Sequence, residues 1–80
     1  MNWKKVKDEL PKEACHTETL WCSQQVLVRE PYETPNHEMR YSYDIAWYHF
    51  NIKCFLSKEM EKVLHPTEWC ELEIFVKDND

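Results

Sequence analysis

Residues 39–50 read MRYSYDIAWYHF, and this stretch decides which fold the sequence predicts. Apolar and polar side chains alternate along it, as the period of two in a half-buried β-strand requires. One parity holds Tyr41, Tyr43, Ile45 and Trp47, and the other holds Arg40, Ser42 and Asp44. From Ala46 onward both parities are apolar, which indicates a bulge or a more central position. We therefore predict a long strand, or one arm of a hairpin, over this stretch.

The flanking segments supply further strands. Residues 25–29, QVLVR, are compact and β-branched, which is typical of a buried strand. Two prolines bracket a predicted turn region over residues 31–38, and residues 70–76 alternate again as a half-exposed strand. Residues 12–23 show only weak periodicity, so we interpret them as a loop or an insertion.

One amphipathic helix is predicted after the long strand. Its apolar face holds Leu56, Met60, Val63 and Leu64, at i, i+4, i+7 and i+8. Ser57 is suited to cap its N-terminus, and Pro66 stands just past its end. The prediction is an α+β fold, a small antiparallel sheet of three to four strands with this helix packed on one face. We expect a single domain over residues 1–80, in which residues 77–80 form a frayed polar tail.

The composition of the chain limits both its core and its chemistry. The 80 residues include four Trp, four Tyr and three Phe, which must fill most of the core, and no glycine. Other residues must therefore occupy the turn positions with positive φ, and we predict that Asn36 and Asn51 do so. The dinucleotide-binding fingerprint and the phosphate loop are excluded, because both need backbone without a Cβ close to phosphate.

The charge balance argues against nucleic acid as a partner. Fifteen acidic residues against ten basic ones give a net charge of −5. Duplex binders cluster Lys and Arg, whereas the lysines at positions 4, 5 and 7 are followed at once by Asp8 and Glu9. No apolar run approaches the ~20 residues of a membrane span, and the N-terminus does not resemble a signal peptide. We therefore expect no membrane partner, a cytoplasmic location and reduced cysteines.

The sequence contains no group of catalytic or metal-binding residues at the spacing of a known motif. A structural zinc site typically contains a C-x₂₋₄-C pair, whereas Cys15 and Cys22 are seven positions apart. The neighbours Cys15 and His16 are more simply interpreted as exposed loop residues, and Glu71 and Glu73 as a solvated strand face. We expect no catalytic residue, no metal and no cofactor, and therefore not an enzyme.

Three motifs in order carry a resemblance to a known family. They are W-x-x-V-x-D-x-L-P at residues 3–11, VLV at residues 26–28 and, after an aromatic-rich strand, T-x-W-x-x-L at residues 67–72. In these the chain resembles short phage and prophage proteins classed as domain of unknown function 551. It departs from them in lacking Gly-rich turns and in carrying Glu68 where the closing motif often has His. The resemblance implies a small mixed α/β fold and a bacterial host cell, and it brings no established activity.

A set of aromatic and basic side chains points furthest toward function. The set is Tyr41, Tyr43, Trp47, Tyr48 and Trp69, with Arg29 and Arg40 as its cations. Our first hypothesis is a non-enzymatic interaction module that docks a host or phage protein through an aromatic patch with an acidic rim, with homo-oligomerisation left open. The alternative is a protein that holds a nucleotide-like small molecule between these rings and cations. Filling the core of a tiny domain is the simpler explanation of these aromatic residues.

Overall fold

The computed structural model describes residues 2–59 and 62–72, and this part of the chain is all-β. Its eight strands are β1 (Lys4–Lys5), β2 (Glu13–His16), β3 (Trp21–Ser23), β4 (Val26–Glu33), β5 (Met39–His49), β6 (Cys54–Ser57), β7 (Val63–Leu64) and β8 (Glu68–Glu71). They form one antiparallel sheet in the order β1-β8-β4-β5-β3-β2, with β6 joined to β5 and β7 joined to β6. The sheet curls into a half-barrel.

The α+β fold class predicted from the sequence is wrong, because the segment predicted as a helix contains two strands instead. β6 and β7 run antiparallel, and Leu56 lies opposite Val63. Phe55 and Leu64 form the neighbouring pair and pack in or against the core. The spacing of these apolar residues suits one face of a helix but equally a tight hairpin, and the packing of Phe55 and Leu64 at the core favours the hairpin. Met60, the remaining residue of the predicted stripe, lies outside the described residues.

The predicted long strand is confirmed as β5, which pairs with β4 from Met39 to Ala46. β4 is longer than predicted, since it continues through Pro31 to Glu33 and shortens the predicted turn region. Pro31 fits there because β8 pairs with β4 only as far as Arg29, so the edge beyond needs no backbone N–H.

β8 covers only part of the last predicted strand. It begins at Glu68, two residues earlier than predicted, and pairs with both β4 and β1. Residues 73–80, which include the end of that strand and the predicted frayed tail, lie outside the described residues.

The loop predicted over residues 12–23 is also wrong, since β2 and β3 form a hairpin there. His16 stacks on Trp21 with ring centroids 4.4 Å apart, and the Thr17 hydroxyl accepts the Leu20 N–H at 2.9 Å in the turn. β2 is an edge strand with three of its four residues exposed. Its polar sequence therefore lacks the alternation that identifies a half-buried strand.

The turns place positive φ on residues other than the predicted asparagines. Among the described residues, His37 has φ 65° and Lys53 has φ 56°, whereas Asn36 and Asn51 do not adopt positive φ. At the end of the β4–β5 hairpin the His37 N–H donates to the Thr34 carbonyl, so the left-handed residue is the one that closes the turn. The prediction of positive φ at Asn36 and Asn51 is therefore wrong, although His37 and Lys53 lie one and two residues farther along the chain.

The core lies on one face of the sheet. Its buried members come from four strands: Val26, Val28, Ala46, Tyr48, Phe55 and Trp69. The even-numbered residues of β5 are polar from Arg40 to Asp44. Farther along the strand, the same side carries Ala46 and Tyr48, which are buried in the core. Tyr41, Tyr43 and Trp47 belong to the other parity and therefore lie on the opposite face of the sheet.

Burial of two acidic protons in this fold predicts a loss of stability at alkaline pH. Burial, and secondarily Cys54, raises the pKa of Tyr48 above its ordinary 10.0, while burial, and secondarily Cys15, raises the pKa of Cys22 above its ordinary 9.0. The folded state therefore retains protons that the unfolded chain releases. We expect the contribution of these groups to be complete below pH 9.0 and to decline above 9.0 for Cys22 and above 10.0 for Tyr48.

Urea unfolding of the wild type and of Tyr48→Phe, at neutral and at increasing alkaline pH, measures this effect. The variant should lose less free energy of unfolding than the wild type above pH 10.0, because it has no phenol to ionise. Identical alkaline losses in the two proteins would show that Tyr48 does not contribute.

Candidate functional site

The β4–β5 hairpin extends past the other strands that the structure describes. β8 pairs with β4 only from Val26 to Arg29, and β6 pairs with β5 only from Ala46 to His49. Residues 30–44, which we call the arm, therefore form a two-stranded ribbon with a turn at its tip. A two-stranded ribbon is marginally stable in water unless something packs on it, so the arm depends on contacts at its base.

Exposed apolar side chains are concentrated on the arm. Eight large apolar residues are exposed in the described part of the chain, and Tyr32, Met39, Tyr41 and Tyr43 are four of them. The last three share one side of β5, which we call the aromatic face, and their exposed fractions are 66%, 42% and 54%. Tyr32 lies on the other side, opposite Arg40 in the register.

Arg29 connects the base of the arm to the rest of the sheet. Its Nε donates to Glu68 Oε1 at 2.8 Å, and its guanidinium carbon lies 4.1 Å from the ring centroids of both Trp3 and Tyr41. The hydrogen bond to Glu68 raises the pKa of Arg29, burial opposes this effect, and Tyr43 adds to the rise. The charge of Arg29 is compensated within the fold, which leaves it poorly suited to bind an anionic ligand.

The backbone of β5 is open along one edge of the arm. The Ile45 carbonyl accepts the Lys58 N–H at 2.8 Å from the β6 side. Because backbone groups alternate in direction along a strand, the three residues of the aromatic face direct their N–H and C=O groups to that same side. No strand in the described residues pairs with the arm there. On the opposite edge, Pro31 lacks an N–H and discourages pairing.

The arm is acidic. Glu30, Glu33, Glu38 and Asp44 belong to it, against the single cation Arg40. Arg40 Nη2 bonds to Glu38 Oε1 at 3.1 Å, so even this cation is paired. The arm itself therefore carries an excess of negative charge, which favours a positively charged partner.

The structure brings four of the seven predicted site residues onto one side of the sheet. Arg29, Tyr41 and Tyr43 lie together at the base of the arm, with Tyr41 and Tyr43 centroids 6.3 Å apart. Trp47 is half-buried farther along the same side of β5, opposite Leu56. These four residues thus share one face of the sheet.

The other three predicted residues lie elsewhere. Tyr48 and Trp69 are buried in the core, and Arg40 is on the side of the arm away from the aromatic face. Sequence reasoning did not include Trp3 and Glu68 in the site, although both hold Arg29. Their positions in sequence, 26 residues before and 39 residues after Arg29, carried no signal that they meet.

A groove of about 610 Å³ borders the aromatic face at Tyr41. Lys5 and Lys7 line it together with Pro31, Pro66 and Glu68. Two lysines beside a tyrosine are a local arrangement that suits an anionic aromatic molecule. Glu68 on the same wall opposes such a ligand.

The described residues contain no group of three or more His, Cys, Asp or Glu side chains arranged to hold a metal ion. They also include no helix long and apolar enough to cross a membrane. In comparisons with known proteins, no family model, no curated protein and no solved structure matches the chain. The resemblance to domain of unknown function 551 therefore stays a prediction.

Proposed function

We propose that this chain is a non-enzymatic protein-interaction module that binds an extended segment of a partner protein by adding it as a strand to the open edge of β5. The observation that carries the proposal is the backbone of the aromatic face, defined by Met39, Tyr41 and Tyr43, with which no strand of the described residues pairs on its outer side. In strand addition, the backbone N–H and C=O groups of the edge form main-chain hydrogen bonds with the added segment. Alternate side chains of that segment, on one of its faces, provide specificity.

The side chains next to this edge suit a protein partner. Tyr and Met are adaptable contact residues that bury a large area, and the two tyrosines are still about half exposed in the structure. Tyr41 is held in place by its stacking on Arg29, so part of the conformational entropy of binding is already lost in the folded protein. An apolar side chain of the added strand would contact these rings.

The charge of the arm specifies the kind of segment that would bind. Four carboxylates against one paired arginine favour a partner strand that carries Lys or Arg between its apolar residues. Binding should weaken as salt is added, because the charges involved are exposed and screened.

The test uses a synthetic peptide of alternating valine and lysine, and the corresponding valine–glutamate peptide as its control. We expect the lysine peptide to slow hydrogen exchange at the Tyr41 and Tyr43 amides. The Ser42 amide belongs to the β4–β5 ladder, so it should already be protected without peptide. Exchange at Tyr41 and Tyr43 that is unaffected by the lysine peptide would contradict strand addition at this edge.

A proline variant separates backbone pairing from side-chain contact. Met39→Pro removes an outward N–H, and we expect about fivefold weaker peptide binding, the equivalent of one hydrogen bond of ~1 kcal/mol. Met39→Ala keeps that N–H and should bind more tightly than Met39→Pro. Tyr32→Ala, on the other side of the arm, should bind as the wild type does. Equal binding by both Met39 variants would argue against backbone pairing.

The groove at Tyr41 supports a second candidate, a small nucleotide-like ligand. Lys5 and Lys7 would contact its phosphates and Tyr41 would stack on its base. Titration with ATP, followed by amide chemical shifts, tests this function. Shifts confined to the groove, abolished by Lys5→Ala with Lys7→Ala, would favour the small ligand over the extended peptide.

A further inference from the structure

Two cysteines face each other across the β2–β3 hairpin. Cys15 and Cys22 are Cα partners in the antiparallel register, next to the stacked pair His16 and Trp21. Directly opposed residues share one face of a sheet, and their Cα atoms lie about 4.5–5.5 Å apart. Disulfides form at Cα separations of about 4.4–6.8 Å, so the hairpin places these thiols within bonding range.

The two thiols differ in exposure. Both are unoxidised in the structure, Cys15 is half-buried, and Cys22 is only 7% exposed. Burial is the main cause that raises the pKa of the Cys22 thiol, and the neighbouring Cys15 thiol raises it further. Cys15 is therefore the thiol that an oxidant reaches first, and Cys22 is the one that can act second.

Across the neighbouring strands, Cys22 lies opposite His49 of β5, and His49 lies opposite Cys54 of β6. His49 is buried, and its Nε2 has no hydrogen-bond partner within residues 2–59 and 62–72. A metal ion would need at least three of these side chains to converge, and no such group occurs among the described residues. The chemistry that the geometry allows is therefore that of the thiol pair itself.

We propose that Cys15 and Cys22 form a redox-active dithiol, which a low-molecular-weight disulfide converts reversibly into an intramolecular disulfide. The Cys15 thiolate attacks one sulfur of the small disulfide, which forms a mixed disulfide and releases one small thiolate. The Cys22 thiolate then attacks Cys15 Sγ, which closes the intramolecular bond and releases the second small thiolate. The protein loses two electrons and two protons, and the small disulfide becomes two thiols.

The location in the sheet makes this disulfide reversible. Opposed Cβ atoms in antiparallel strands lie about 4.5–5.5 Å apart, whereas a disulfide draws them to about 3.5–4.5 Å. The closure strains the hairpin, and strained disulfides are the ones that small thiols reduce readily. Oxidation would tie β2 to β3, which pairs with β5 at Cys22 and His49 and also stacks Trp21 on Phe50, just after β5.

The experiment is equilibration of the full chain with mixtures of oxidised and reduced glutathione, followed by acid quenching, alkylation and mass spectrometry. We expect the wild type to lose the mass of two hydrogen atoms without retaining glutathione. Peptide mapping should join Cys15 to Cys22, and excess reduced glutathione should reverse the change. A stable glutathione adduct on the wild type, or a bond to another cysteine, would overturn the proposal.

Single variants resolve the two steps. Cys22→Ser should stop at one glutathione bound to Cys15, and Cys15→Ser should react more slowly than Cys22→Ser, because its remaining thiol is buried. Cys54→Ser is the matched control and should oxidise as the wild type does. Failure of Cys54→Ser to form the bond would contradict the assignment. The peptide map of the wild type decides the question even where a variant does not fold.

Discussion

Trp69→Ala is expected to lower the free energy of unfolding by about 3–5 kcal/mol, the cost typical of removing a buried Trp from a core. Trp69 is 3% exposed and lies opposite Val28 in the register. Its Nε1–H donates to the Glu9 carbonyl at 2.8 Å, and Lys4 Nζ lies 4.8 Å from its ring centroid. One side chain thus joins the core to the N-terminal segment, so its loss affects both.

This loss is large compared with the total stability of the protein. A domain of 80 residues has about 4–12 kcal/mol in all, at the usual value per residue. Trp69→Ala should therefore lose a large fraction of its stability and unfold at a clearly lower temperature and urea concentration than the wild type. Thermal unfolding and urea unfolding, both monitored by circular dichroism, measure this loss of stability without relying on tryptophan fluorescence.

Trp47→Ala provides the matched control for Trp69→Ala. It removes the same side chain from the opposite face of the sheet, where Trp47 is only half-buried. We expect a clearly smaller cost, since less apolar area returns to water. If both variants lost equal stability, the assignment of the core to the Trp69 face would be wrong.

Arg29→Met is expected to cost about 3 kcal/mol, at the lower end of the range for breaking a buried ion pair. The variant leaves the Glu68 carboxylate, which is only 19% exposed, without its partner. It also removes the guanidinium from between Trp3 and Tyr41, each contact contributing about 0.5–1 kcal/mol. The base of the arm should loosen, and hydrogen exchange at the arm amides should rise.

Two further variants separate the contributions at Arg29. Arg29→Lys keeps the charge but loses the planar group that stacks on both rings, so an intermediate cost is expected. The double variant Arg29→Met with Glu68→Met leaves no uncompensated charge and should be more stable than Arg29→Met alone. If the double variant were less stable than Arg29→Met alone, the Arg29–Glu68 pair would stabilise the fold by more than the cancellation of the two charges.

The strands with clear alternation could be predicted from the sequence, and those without it could not. β5 and the core of β4 were located because their side chains have a period of two and are β-branched or aromatic. β2 and β3 were missed because an edge hairpin with one exposed strand has no such period. Leu56, Val63 and Leu64 suited a helix and a hairpin equally, and only contact with the sheet distinguishes the two.

The candidate site could be predicted in part. Arg29, Tyr41 and Tyr43 were identified, and the structure brings them together. Trp3 and Glu68 were not, because their contact with Arg29 depends on β8 pairing with both β4 and β1. The open edge of β5 was not predictable either, since it arises where the pairing of β6 with β5 ends, at Ala46.

The sequence by itself determined that β5 is a strand, that its two parities differ, that the surface is acidic and that phosphate-binding glycine loops are absent. These properties are local or compositional, so they do not depend on which segments meet. Only the tertiary structure decided that Ala46 and Tyr48 face the core while Tyr41 and Tyr43 face outward. Alternation separates two faces of a strand, but the face that is buried depends on what packs against it, and those contacts come from residues distant in the chain.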